Sequence, residues 1–179
     1  MFVMAYAFLA TYQAYYLLDK LGSAEADVPR QIFLGTLVQS AVVVAASLAG
    51  GRLSDRTGRR KLFVLSASAV YGLAMFALAI ASDFNGFLVG MAIGGLGFGV
   101  YTAVDLALVV DVLPDKDNAA KDLGVLNIAG APPFSVAPAI APAILALGNG
   151  SCSYGVLFAV AGVWALIGAA AILPVKGVR

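Results

Sequence analysis

The 179-residue chain has no histidine and a single cysteine, and only 12% of its residues are charged. Without histidine there is no Ser-His or Cys-His pair, no imidazole ligand for zinc or haem, and no imidazole proton relay. Cys152 has no second cysteine to oxidise with and cannot build a thiolate cluster, so it reads as a small loop residue. No metal or other cofactor is therefore expected. Proton chemistry falls to Asp, Glu, Lys, Arg or Tyr. Soluble domains are typically about 25% charged and about 45–50% apolar. Here 61% of the residues are hydrophobic, which points to a membrane protein. A net charge of +1 says little; where the charge sits says more.

Spanning a bilayer core of about 30 Å takes about 20 apolar residues in a helix. Six runs qualify: Met1–Leu18, Gln31–Ala49, Leu62–Ser82, Phe87–Leu113, Leu123–Leu147 and Tyr154–Pro174. Only helices and closed barrels satisfy their backbone in lipid, and runs without period-2 alternation are helices. The sequence thus predicts an all-α membrane protein with six transmembrane helices in one domain, 1–179. The apolar start at Met1 lacks the basic lead and cleavage site of a signal peptide. It suggests that a segment upstream precedes it.

Nearly all the charge lies between the runs. If segment 50–61 is cytoplasmic, nine Lys and Arg residues fall inside, and only Lys20 and Arg30 fall outside. This positive-inside bias puts both termini in the cytoplasm and segment 19–30 outside. The fourth run is glycine-rich. Gly86, Gly90 and Gly94 share a spacing of four, which Gly95 and Gly99 repeat, and this predicts a face that admits a neighbouring helix closely. GGLGFG within it follows no strand, so nucleotide binding is not expected, nor is a nucleic-acid partner. Pro132, Pro133, Pro138 and Pro142 predict a kinked fifth helix, either static or moving.

The stretch GGRLSDRTGRRK at 50–61 has two readings. By composition it is a positive-inside anchor, with Gly51 and Gly58 allowing a tight turn. By spacing it is more specific. Gly51, Leu53, Asp55, Arg56, Gly58, Arg59 and Arg60 match, in register, the cytoplasmic signature loop of the major facilitator superfamily of secondary transporters, with Ser54 at a small position. Phe63 departs mildly from the pattern. The chain resembles one six-helix half, a 3+3 inverted repeat, of such a twelve-helix transporter. The run LPDKDNAAKDLGVLNIA is similar to the second half of bacterial members. The resemblance implies alternating-access transport of a small solute across the plasma (inner) membrane, most simply coupled to protons. It also implies a missing N-terminal half or a second copy as partner. It makes Gly51–Lys61 a gate latch, with a loop Arg pairing Asp111 and the loop Asp reaching a helix start near Asp122–Gly124.

Acids inside a span are costly and mark function by default, and Asp105 is such an acid. It is either a coupling-ion or substrate contact, or a structural partner near the cytoplasmic edge. The resemblance puts the first and fourth helices on the cavity, which makes Tyr12, Gln13 and Tyr16 pocket candidates with Tyr101 and Asp105 opposite. Tyr12 and Tyr16 lie one turn apart on one face; Tyr15 and Tyr16 also fit an interfacial aromatic belt. Gln39 and Asn127 are weaker candidates, each able simply to hydrogen-bond between helices. An intramembrane protease does not fit: the chain has no base for a serine and no intramembrane aspartate pair. The alternative to transport is a truncated fragment or subunit that must pair with a second half.

Overall fold

A computed structural model describes residues 2–112, 124, 128, 130–148 and 152–171, the side chains of 106–112 and Cys152 apart. Its elements are helices: α1 Phe2–Tyr15, α2 Val28–Thr57, α3 Arg60–Ile80, α4 Phe84–Val112, α5 Pro132–Leu145 and α6 Cys152–Ala171. Four of them, α2, α3, α4 and α6, are long and apolar enough to cross a membrane. α1 continues without a break into a π-helical segment, Tyr16–Lys20, and α5 is a shorter apolar helix of 14 residues.

Local chemistry sets the helix ends. Asp83 accepts a hydrogen bond from the Gly86 N–H at 2.8 Å, satisfying a free donor in the first turn of α4. Pro29 opens α2 where a missing N–H costs nothing. Gly58 closes α2 with φ +63° and donates to the Ser54 carbonyl at 2.9 Å, a left-handed cap that glycine adopts without steric cost. α2 therefore runs 30 residues, about 45 Å at the usual rise, and extends past the bilayer core. Gly51, expected in a turn, lies inside this helix; the turn consists of Gly58 and Arg59 alone. Pro132 and Pro133 correct another expectation. They sit in the first turn of α5 and start that helix, whereas Pro138 and Pro142 lie within it.

α4 is packed between α2 and α3. Two glycine faces make this possible. A Cβ at Gly95 would stand 2.7 Å from the Gln39 carbonyl, and one at Gly99 would stand 2.6 Å from the Val43 carbonyl, both on α2. A Cβ at Gly97 would stand 2.7 Å from the Tyr71 nitrogen and 2.8 Å from the Ala67 oxygen of α3, and Gly90 lies against Leu78. The expected single face is thus two faces, roughly half a turn apart. On its other side α3 packs on α6, where Gly72 and Gly162 bring the two backbones together. α1 rests on α5 and α6.

The end of α1 is tied down by three side chains. The Leu21 N–H bonds the Tyr16 carbonyl at 3.2 Å, an i to i+5 bond that widens the turn. Tyr16, fully buried, donates to the Leu78 carbonyl at 2.8 Å. The Lys20 ammonium donates to the Leu78 and Ala79 carbonyls and lies 5.3 Å from the Tyr16 ring centroid. The Tyr154 hydroxyl of α6 donates to Asp19 at 2.5 Å. The last carbonyls of α3 thereby gain donors, including a cation at the negative end of its dipole. Tyr16→Phe is expected to lower the thermal midpoint of unfolding by a few degrees, consistent with about 1 kcal/mol for one hydrogen bond. An unchanged midpoint in a thermal melt would show that bond to be idle.

Candidate functional site

The signature residues run from the last turns of α2 through the turn at Gly58 and Arg59 to the start of α3. Gly51 faces Ala103 of α4, and Gly50 beside it meets Val100, so α2 lies close to α4 just before Asp105. Leu53 is half exposed and Ser54 is buried, its hydroxyl without a hydrogen-bond partner among the described residues. Asp55 and Arg56 are exposed in the last turns of α2, and Thr57 donates to the Leu53 carbonyl at 2.9 Å. Past the Gly58 cap and exposed Arg59, the Arg60 guanidinium meets the Asp55 carboxylate at 3.5 Å. The loop thus carries an ion pair of its own between the end of α2 and the start of α3. Asp111 lies in the last turn of α4, but its side chain is outside the described residues, as are Asp122 and Asn127.

The Asp55 side chain is 67% exposed. An exposed pair of this kind contributes roughly 0–1 kcal/mol. Asp55→Asn is therefore expected to leave the melting temperature within about 2 °C of the parent, in keeping with that small energy. A fall of ten degrees would make the pair a fold-stabilising contact and remove the case for a switch.

The cavity-side candidates are spread along α1. At its beginning Phe2 stacks on Tyr101, ring centroids 3.9 Å apart and planes within 4°. Phe2 also touches Tyr71, and Tyr6 meets Phe98 at 4.9 Å and Phe134 at 6.1 Å. These rings join α1 to α3, α4 and α5. Asp105 follows Tyr101 by one turn of α4 and is half-buried beside it.

Tyr12 lies ten residues further along α1 than Phe2, about 15 Å away at 1.5 Å per residue. The expected juxtaposition of Tyr12 and Gln13 with Tyr101 and Asp105 is therefore not seen within this chain. Tyr12 instead donates to the Pro138 carbonyl at 3.4 Å. Pro142 has no N–H to reach that carbonyl, so a freed acceptor on α5 finds its donor on α1. Gln13 is half-buried. Tyr16 parts from Tyr12: they point to different neighbours, α5 for Tyr12 and α3 for Tyr16. The Tyr16 hydroxyl is committed to a buried backbone bond. The Gln39 side-chain nitrogen is buried without a partner among the described residues.

Sequence reasoning missed Lys20 and Tyr154, which it placed as a loop charge and a span boundary. It also missed the aromatic group of Phe2, Tyr6, Phe98 and Phe134. Aromatic spacing alone could have suggested the group, but not which helices it joins.

Comparison with known proteins gives the class. The model of the Major Facilitator Superfamily matches residues 1–178, and the chain belongs to that family. It is 35% identical over 107 residues to "Multidrug resistance protein MdtL" of Klebsiella pneumoniae (strain 342), covering 60% of this chain and 26% of that protein. It is 32% identical over 126 residues to the protein of the same name from Shewanella sp. (strain ANA-3), covering 70% and 29%. It is also 30% identical over 112 residues to "Plastidic glucose transporter 4" of Arabidopsis thaliana, covering 63% and 20%. The chain thus matches under a third of each relative's length. The family and the apolar helices together support a multi-pass membrane protein of a transporter family.

Proposed function

We propose that the chain is the C-terminal six-helix half of a secondary transporter that moves a small organic solute by alternating access, coupled to protons. The observation that carries the reading is Asp105, a carboxylate in the 29-residue apolar helix α4, set within a chain whose family match is nearly complete. A titratable group in lipid is costly and persists where it does work. The related proteins are named for multidrug resistance and for glucose, so the solute classes to try are lipophilic cations and hexoses. The segment Gly51–Lys61 is the cytoplasmic gate: Asp55, Arg56, Arg59 and Arg60 form exposed or half-exposed charge between α2 and α3, free of lipid and able to change partners as helices rock.

The outward face of α2 supports a missing half. Phe33, Leu37, Val44 and Leu48 are each more than half exposed along one side of that helix. An N-terminal half, or a second copy, would cover part of this face, and the solute site would lie between the halves at Tyr12, Gln13, Tyr101 and Asp105. Both termini are then cytoplasmic, in the inner membrane. The test is solute-driven proton movement in proteoliposomes holding the full-length protein, with tetraphenylphosphonium and glucose as probes. A pH change on adding either solute, abolished by a protonophore, is the expected result. Solute entry that ignores an imposed pH gradient would overturn the coupling; no movement of either probe would overturn the solute classes.

A further inference from the structure

Asp27, Arg30, Gln31 and Leu34 stand at i, i+3, i+4 and i+7, the spacing of one helix face. They line a pocket of about 310 Å³ between the start of α2 and Phe84, the first residue of α4. Packing sets its place. Just beyond Leu34, Gly35 meets Phe87 so closely that a Cβ there would stand 2.6 Å from the ring. The two helices touch at that point, and the pocket lies toward their beginnings. Asp27 holds the N-cap position of α2 in a helical conformation, and its side chain makes no capping bond. Its carbonyl accepts the Gln31 N–H at 2.9 Å, which fixes the face. The Gln31 side-chain oxygen accepts the Ser23 hydroxyl at 2.7 Å, so its amide nitrogen keeps its donors. Asp27 and Arg30 form no ion pair with each other among the described residues.

A carboxylate, a guanidinium and an amide donor beside an apolar wall match a small zwitterion. A primary ammonium suits Asp27, whose carboxylate accepts its N–H bonds. An acidic group suits the Arg30 fork, with the Gln31 amide as a further donor. Side chains at i and i+3 of a helix start about 5–6 Å apart, so one molecule can meet both charges with groups a few bonds apart. We infer that this pocket binds a zwitterion carrying a primary ammonium, an acidic group a few bonds away and a hydrocarbon group that lies on Leu34 and Phe84. Apolar α-amino acids and the head of phosphatidylethanolamine share this chemistry. A quaternary ammonium does not fit: it has no N–H for Asp27, and the lining offers it the single ring of Phe84 where cages use several. The volume is at the lower end of the range of about 300–1,000 Å³ usual for ligand pockets, which suits a small ligand. Asp105 lies far along α4, about 30 Å from Phe84 at 1.5 Å per residue, so the pocket is separate from the proposed solute site. It does not depend on what the protein transports.

Binding of radiolabelled L-leucine to the full-length protein in detergent tests one source of the ligand. Isoamylamine and 4-methylpentanoate, which lack the carboxylate and the ammonium in turn, should compete at least tenfold less well than leucine. Native mass spectrometry, with phosphatidylethanolamine and phosphatidylcholine in equal amounts, tests the other. Leucine binding with both lipids held equally assigns the pocket to a free amino acid. Preferential retention of phosphatidylethanolamine assigns it to the lipid head. In either case Asp27→Asn and Arg30→Gln, both at exposed positions, should each weaken binding at least tenfold, and Leu34→Trp, which fills the pocket, should do the same. Asp105→Asn should bind as the parent does, whether or not it transports. The proposal is overturned if neither ligand binds, if a compound with one charge competes as well as leucine, or if Asp27→Asn and Arg30→Gln both bind like the parent.

Discussion

Gly97→Val is expected to cost the protein its fold, or at least ten degrees of thermal midpoint. The new side chain would start 2.7 Å from the Tyr71 nitrogen and 2.8 Å from the Ala67 carbonyl oxygen. Both are backbone atoms of α3, so no rotamer change relieves the clash. α4 cannot step back either, because its opposite glycines hold it against α2, where Gly99 would place a Cβ 2.6 Å from the Val43 carbonyl. Overpacking in a tight core costs about 1–3 kcal/mol even where side chains can adjust; here helices must separate, and the cost lies at the upper end or beyond. Gly99→Val is expected to behave alike. Gly94→Ala is the control. Its Cβ would stand 3.6 Å from the Ala74 methyl, an ordinary contact, and its midpoint should stay near that of the parent. Size-exclusion elution and thermal melting of the full-length protein decide the matter. Equal midpoints for Gly97→Val and Gly94→Ala would mean that α4 is not confined between its two neighbours.

Asp105→Asn should reduce gradient-driven solute accumulation at least tenfold while leaving the melting temperature close to the parent value. A carboxylate that carries a proton must be neutral in one part of the cycle and charged in another. Asparagine keeps the shape and stays neutral throughout, so equilibrium exchange of solute should survive while uphill transport and its pH dependence disappear. Asp105→Glu should recover part of the accumulation. The measurement is uptake into proteoliposomes with and without an imposed pH gradient, alongside counterflow with no gradient. If Asp105→Asn instead loses both activities together with several degrees of stability, Asp105 is a structural partner of Tyr101 near the end of the span.

These two residues differ in how far the sequence could read them. Asp105 was legible as a functional suspect, because an acid in an apolar run is anomalous whatever surrounds it. Gly97 was legible only as one more glycine. Spacing of four predicts a close helix contact, yet it does not say that Gly90 and Gly97 serve one neighbour while Gly95 and Gly99 serve another. That partition follows from α4 lying between two helices, a fact of packing. The signature at 51–60 was legible in full as a pattern, including the glycine that turns the chain at Gly58. Its geometry was not: the helix continues to Thr57, so most of the signature is helical and Asp55 meets Arg60 across a two-residue turn.

Tyr12 and Tyr16 show the same boundary. One-turn spacing placed them together, but the hydroxyl of Tyr12 goes to a carbonyl freed by Pro142, and that of Tyr16 to the end of α3. The π turn after Tyr15 and the proline on α5 lie far apart in sequence, and each takes its meaning from a neighbour. By itself the sequence determined the membrane environment, the apolar helices, the family signature and the isolated acid, since hydropathy, charge and glycine spacing act locally along the chain. The tertiary structure decided which face meets which helix, which hydroxyls are spent on backbone carbonyls, and which charged residues share a pocket with Phe84. Those outcomes depend on distances between segments that no local pattern encodes.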